Sequence, residues 1–224
     1  MMQRDYKDYL TEDIQSMIRV VPDHPKPGVM YQDMASIFNT PQGIGKCMTM
    51  IKDWLYETEI AYKYNRIVGL DARGFVLAGA LSADMGRPFA MARKKGKLPG
   101  ETLFTKYELE YGTDELHLQT DSVLEGDHVL VVDDVIATGG TLEAATSLIK
   151  RFKAETVGIV GIMDLTFLGG SDKLIDKYDA VKFAKLGSKI IGGKGGGGRK
   201  DFAQAGGQDK NKIDEAFEKI KSLI

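Results

Sequence analysis

Val129-Leu-Val-Val-Asp-Asp-Val-Ile-Ala-Thr-Gly-Gly-Thr141 decides how this chain folds. Four apolar residues stop abruptly at two aspartates, which reads as a buried strand delivering two carboxylates to its carboxyl end. A small loop containing Gly139 and Gly140 follows, and Leu142, Ala145, Leu148, Ile149 and Phe152 then recur at helical spacing. Backbone N–H groups at the start of such a helix, helped by its dipole, form a phosphate site. Ala137 is small, the two glycines admit a close backbone approach, and Thr138 and Thr141 add hydroxyl donors. Asp133 and Asp134 only accept hydrogen bonds, so ribose hydroxyls or a hydrated Mg²⁺ suit them better than a phosphate. The plain alternative is a capping Thr138 beside two solvated aspartates. The coincidence of acid pair, loop and strand–helix context favours the phosphate site.

Working outward, Arg66-Ile-Val-Gly-Leu70 predicts a buried strand and 75–85 the helix after it. Strands are expected over 88–93 and 156–164. Alternating strands and helices predict an α/β fold with a doubly wound, mainly parallel sheet, whose ligands lie beyond the carboxyl ends of the strands. Lys94-Lys-Gly-Lys-Leu-Pro-Gly100 is polar and turn-rich, and two strand candidates broken at Gly112-Thr-Asp114 follow it. They predict a β-hairpin that moves as a lid. Composition shifts after Ala184, with nine glycines between 187 and 207, then Ile213, Ala216, Phe217, Ile220, Leu223 and Ile224 on one helical face. A boundary is therefore placed at 184, separating a domain over 1–184 from a glycine-rich loop and amphipathic helix over 185–224.

Of the 224 residues, 43% are apolar, enough for a sizeable core. The net charge of −2 argues against a dedicated nucleic-acid binder, so any anionic substrate must be held by local groups. Cys47 is the one cysteine, which excludes an intrachain disulfide and fits a reducing compartment. No signal-peptide core appears in the first 23 residues and no run reaches the roughly 20 apolar residues of a bilayer span, so a cytoplasmic protein without a membrane partner is expected.

The 129–141 stretch resembles the phosphoribosyl pyrophosphate signature of the type I phosphoribosyltransferases. Further segments look like the adenine phosphoribosyltransferases within that family: His24-Pro-Lys-Pro-Gly-Val-Met-Tyr-Gln-Asp33 resembles their base-binding hood, and Gly69-Leu-Asp-Ala-Arg-Gly-Phe75 their pyrophosphate loop. Arg93-Lys-Lys-Gly-Lys-Leu-Pro-Gly100 and Tyr107-Glu-Leu-Glu-Tyr-Gly112 are similar to their lid. The likeness runs in order over about 15–184. It implies transfer of a phosphoribosyl group from phosphoribosyl pyrophosphate to adenine, with Mg²⁺ as cofactor and a homodimer as the assembly. Asp133, Asp134, Ala137, Thr138, Gly139, Gly140 and Thr141 would hold ribose and its 5-phosphate. Asp71 and Ala72, where such enzymes often hold a cis peptide, would meet the pyrophosphate with Arg73, Arg93, Lys94 and Lys97. Arg73, Lys97 and the lid carboxylate Glu110 would be catalytic, and Tyr111 is the lid aromatic. Met30 and Gln32 would read adenine through their main chain, Tyr31 would stack on it and Leu165 would pack nearby. The magnesium would sit on pyrophosphate and ribose, with Asp133 and Asp134 in reach.

Two residues depart from the pattern: Gln32 and Ala72 stand where adenine enzymes commonly carry Arg and Ser. A relative acting on another purine base, and a regulator that binds phosphoribosyl pyrophosphate or nucleotides without turnover, remain alternatives. Gly192-Gly-Lys-Gly-Gly-Gly-Gly-Arg-Lys-Asp-Phe-Ala-Gln-Ala-Gly-Gly207 resembles the glycine-rich C-terminal end of alanyl-tRNA synthetases. Without a basic surplus tRNA binding is not expected, and an inert or oligomer-supporting appendage is the reading kept. A formal Gly-x-Gly-x-x-Gly at Gly193, Gly195 and Gly198 is followed by Arg-Lys-Asp rather than an apolar helix, which removes the dinucleotide reading.

Overall fold

A computed structural model describes residues 6–109, 112–177, 180–199 and 202–221 of the chain. Two compact units emerge, Met1–Ile136 with Gly140–Asp164, and Ala137–Gly139 with Leu165–Ile224.

The first unit contains α1 (Tyr6–Met17), β1 (Arg19–Pro22), β2 (Met30–Asp33), α2 (Ala35–Phe38), α3 (Gly43–Glu57), β3 (Arg66–Leu70), α4 (Gly74–Met85) and β4 (Phe89–Lys94). It continues through β5 (Thr102–Leu109), β6 (Gly112–Gln119), β7 (His128–Val132), β8 (Val135–Ile136), α5 (Gly140–Arg151), β9 (Glu155–Val160) and β10 (Met163–Asp164). The main sheet has the strand order β5-β6-β4-β3-β7-β9. Strands β4, β3, β7 and β9 are parallel, and the antiparallel hairpin β5–β6 joins at the β4 edge. The sheet is thus mixed: a parallel core, as the alternating pattern requires, carrying a hairpin extension.

Burial follows the pattern of each element. Val129, Leu130, Val131 and Val132 are fully buried, because a central parallel strand is covered on both faces. Helix α5 turns Leu142, Ala145, Leu148 and Ile149 inward, and α4 does the same with Leu77, Ala78 and Leu81. A Cβ on Gly69 would lie 2.7 Å from that of Ala78, so glycine in β3 lets α4 settle close on the sheet. Cys47 is buried on α3, and its burial pushes the thiol pKa up to about 11, an unreactive packing residue.

One expected strand divides. Residues 156–164 form β9 and a separate β10, because Ile162 N and Met163 N both donate to Asp134 O, and β10 then pairs with β8 in a second small sheet. Backbone donors can serve one acceptor direction only, so the strand leaves the main sheet where the aspartate pair recruits it.

The second unit contains a 3₁₀ turn at Thr166–Leu168, α6 (Gly170–Lys177), α7 (Ala180–Ile190), β11 (Gly195–Arg199), β12 (Phe202–Gly206) and α8 (Ile213–Lys221). The glycine-rich segment expected as a loop is half of an antiparallel hairpin, with Gly196 opposite Ala205 and Gly198 opposite Ala203. A Cβ on Gly196 would stand 2.5 Å from that of Ala205, and one on Gly193 only 1.9 Å from Gly206 O. Glycine here serves close approach of backbones rather than looseness. Buried Ser188 on α7 ties the hairpin down: its Oγ lies 2.8 Å from Gly206 O and accepts from Gly195 N at 3.2 Å. Among the described residues, no helix is long and apolar enough to cross a membrane.

Candidate active site

Strand β7 ends at Val132, and the next two residues carry the carboxylates anticipated from the sequence. Asp133 N donates to Val160 O, which holds the strand end to β9, and Asp133 Oδ1 accepts from Asp134 N at 2.9 Å. A Cβ on Gly74 would meet Val132 O at 2.7 Å and Asp133 Oδ1 at 3.0 Å. Glycine at the start of α4 therefore allows the 71–75 loop to close on the acid pair. Burial raises the Asp133 carboxyl above the ordinary aspartate value, and the neighbouring Asp134 charge adds to the rise.

Asp134 is buried, and its Oδ2 lies 2.6 Å from Arg73 Nε. That atom makes no aligned hydrogen bond among the described residues, so an ion contact alone meets it. Arg73 also donates from Nη1 to the Tyr31 hydroxyl at 2.6 Å. Burial works against the guanidinium's charge, but Asp134 leads the interactions that raise its pKa above the ordinary value. Tyr31 is half-buried and meets His24 edge to face at 5.0 Å. Both stand on the hood, whose β2 pairs with β1 alone. The other edge of β2, which carries Met30 and Gln32, keeps main-chain groups available to a planar base.

Two of the other three basic residues expected at pyrophosphate, Arg93 and Lys94, are paired in the same manner. Arg93 Nε donates to Asp71 Oδ2 at 3.0 Å, and its Nη1 holds the turn after β4 through Lys97 O. The Asp71–Ala72 peptide is cis. Lys94 reaches Asp114 at 2.8 Å, and the ammonium holds that carboxyl below the usual range. Lys97 is exposed. Arg73, Arg93 and Lys94 thus each have a carboxylate counter-ion, while among the described residues Lys97 forms no ion pair.

Helix α5 begins at Gly140, and its first residues supply the N–H groups foreseen for a phosphate. Strand β5 packs along α5, and its Tyr107 stands directly opposite Asp114 in the hairpin register. At the far end of the helix Arg151 donates to Phe104 O. The hairpin is therefore docked along α5. Tyr107 and Asp114 were not anticipated as site residues, although counting outward from Gly112 across the turn pairs them. Glu110 and Tyr111 lie outside the described residues.

In the second unit, Ala137–Gly139 leads into α5. Gly139 has φ +81°, a left-handed conformation that favours glycine, and a Cβ there would sit 2.9 Å from Gly170 O. Gly170 is closer still, since its Cβ would fall 2.1 Å from Ala137 O. Gly170 escaped the sequence reading because a Gly-Gly pair after a short apolar run reads as a turn and nothing more. Leu165 opens the 3₁₀ turn of this unit.

A strand end with paired carboxylates thus stands before a helix N-terminus, with Arg73 held against Asp134, an arrangement chemically suited to an anionic sugar. The family model of the phosphoribosyl transferase domain matches residues 33–191, and the chain belongs to that family. Among its relatives, the adenine phosphoribosyltransferase of Leptospira biflexa is 42% identical over 76% of this chain and 94% of its own length. Of solved structures, adenine phosphoribosyltransferase from Saccharomyces cerevisiae, complexed with an imino-altritol bisphosphate and adenine, matches with TM-score 0.71 and 34% identity, covering 74% of this chain and 94% of that one. The Trypanosoma brucei enzyme in complex with AMP, pyrophosphate and ribose-5-phosphate matches with TM-score 0.65 and 25% identity, over 76% and 74% of the two chains.

Proposed function

We infer that this chain transfers the 5-phosphoribosyl group of phosphoribosyl pyrophosphate to adenine, giving AMP and pyrophosphate. That is the reaction its relatives' shared name denotes, and it salvages a free purine. The observation in the molecule that carries it is the Asp133–Asp134 pair ahead of the α5 N-terminus, with Arg73 held against it.

Breaking the C1–pyrophosphate bond leaves positive charge on the ribose and concentrates negative charge on the leaving group. No covalent nucleophile is required, and the work divides into positioning and electrostatics. The start of α5, with Thr138, Gly139, Gly140 and Thr141, holds the 5-phosphate, and Ala137 leaves room for it. Asp133 and Asp134 accept from the ribose hydroxyls. Arg73, Arg93, Lys94 and Lys97, with the main chain at Asp71–Ala72, receive the pyrophosphate. Tyr31 lies against the base, Met30 and Gln32 read its edge through the main chain, and Leu165 packs nearby. Glu110 handles the purine proton, and Tyr111 covers the site with the β5–β6 lid.

Magnesium fits these residues as a passenger of the substrate. Among the described residues no group of three or more His, Cys, Asp or Glu side chains is placed to hold a metal ion by itself, whereas Asp134 Oδ2 is a buried carboxylate oxygen without an aligned hydrogen bond. Mg²⁺ binds readily through one or two carboxylates plus substrate phosphates, and when bound it neutralises pyrophosphate charge. The reading extends to a phosphoribosyltransferase domain over 1–184 and a 185–224 appendage, in a cytoplasmic homodimer.

The test supplies radiolabelled adenine, guanine and hypoxanthine separately, each with phosphoribosyl pyrophosphate and Mg²⁺. AMP formation with strong preference for adenine is expected. Equal or better turnover of an oxopurine would sink the adenine assignment, and no transfer to any base would leave only a binding protein.

A further inference from the structure

We propose that the Tyr31 hydroxyl is a positioning group for Arg73, so that one hood side chain serves both the base and the departing pyrophosphate; this rests on the reading of Arg73 as a pyrophosphate donor. Arg73 is anchored at two nitrogens, Nε against Asp134 at 2.6 Å and Nη1 on Tyr31 at 2.6 Å. Two anchors fix the plane of a guanidinium whose long stem would otherwise sample many rotamers. Nη2 has no partner among the described residues, so the fixed fork keeps donors to offer an anion.

The nature of the second anchor matters. A second carboxylate would orient Arg73 but cancel its charge, whereas a phenol accepts a hydrogen bond and leaves the charge for the leaving group. Tyr31 is itself held, because its ring is half-buried edge to face with His24 and its backbone is paired with Val21 of β1. The hydroxyl therefore occupies a set place whether or not a base lies on the ring. A donor preset for charge that develops during reaction acts on the chemical step more than on ground-state binding.

Tyr31→Phe removes one oxygen and keeps the ring. Its expected effect is a fall in kcat of about tenfold, the scale of losing a hydrogen bond to a charged group. The KM for adenine and the Kd for AMP should stay near those of the unaltered protein, since neither ligand carries pyrophosphate. Combined with Arg73→Lys, which cannot hold the fork, Tyr31→Phe should cost nothing further. Tyr31→Met, which also deletes the ring, should lose adenine affinity as well as turnover. The melting temperature of each variant checks its fold, and AMP binding by calorimetry keeps a readout for any variant too slow to assay.

An unchanged or increased kcat in Tyr31→Phe overturns the proposal, as does a weakened adenine KM with kcat intact. A tenfold loss that persists in the Arg73→Lys background overturns it too, because the hydroxyl would then act without Arg73. Failure of the underlying reading has its own signatures: the unaltered protein makes no AMP, or Arg73→Lys alone keeps full turnover.

Discussion

Asp133 is half-buried beside the start of α4, and the water it loses there is the first reason that its carboxyl titrates above the ordinary aspartate value. The folded protein therefore holds more protons than the unfolded chain between pH about 4, where a free aspartate titrates, and the raised native value. Stability must fall as pH rises through that window, and the loss is complete above it. Asp133→Asn removes the titration while its amide oxygen can still accept from Asp134 N. The variant should melt higher than the unaltered protein at pH 8, with the difference shrinking toward pH 4. A constant difference across that range would show that Asp133 does not titrate as its burial demands. Activity should move oppositely if Asp133 serves as proposed, because an amide cannot meet both ribose hydroxyls and a cation as a carboxylate can.

Among the elements, the seat of the Ala137–Gly139 loop, proposed to hold the phosphate, makes the sharper prediction. A Cβ on Gly170 would stand 2.1 Å from Ala137 O and 2.7 Å from Gly139 N, both backbone atoms that cannot swing aside. Gly170→Ala must displace the loop, at about 1–3 kcal/mol for overpacking, and AMP affinity should fall roughly tenfold or more. The main sheet does not include these residues, so far-UV circular dichroism should hold. Unchanged AMP affinity by calorimetry would refute the loop's assignment. This contact illustrates what the sequence conceals. Strands β3 and β7 and helices α4 and α5 were legible because burial on known faces imposes apolar runs and helical periods. The end of β7 before Asp133 and the start of α5 at Gly140 were legible because the break from apolar run to acid pair and glycines is local in sequence. Gly170, Asp114 and the Arg73 contacts were not, since each depends on which distant backbone or side chain arrives beside it. Glycine was misread in β11 for the same reason: its missing Cβ signals a close neighbour as readily as a turn.

For the whole chain, the question is whether the second unit does more than seat the loop. Helix α7 packs on β11, β12 and α8, and a Cβ on Gly187 would lie 3.2 Å from Ile220. Phe183, Ile191, Phe217 and Ile220 line a groove of about 570 Å³ among these elements, with Phe217 59% exposed. Cutting at 184 would split α7 and bare its apolar face, so a truncation that tests the proposed appendage has to stop before that helix. A chain ending at Lys177 keeps α6 with Gly170, and it keeps every residue proposed here to touch substrate. It also removes α7 and its partners together, leaving no half-covered helix to aggregate. The expected outcome is an unchanged turnover number for AMP formation, with any effect confined to solubility or to oligomer mass in sedimentation. A shortened protein that is folded, keeps its oligomeric mass and has lost turnover would show that residues beyond 177 reach the substrate. In that case the glycine hairpin, whose pairing leaves its backbone densely packed, would become part of the catalytic structure rather than an appendage to it.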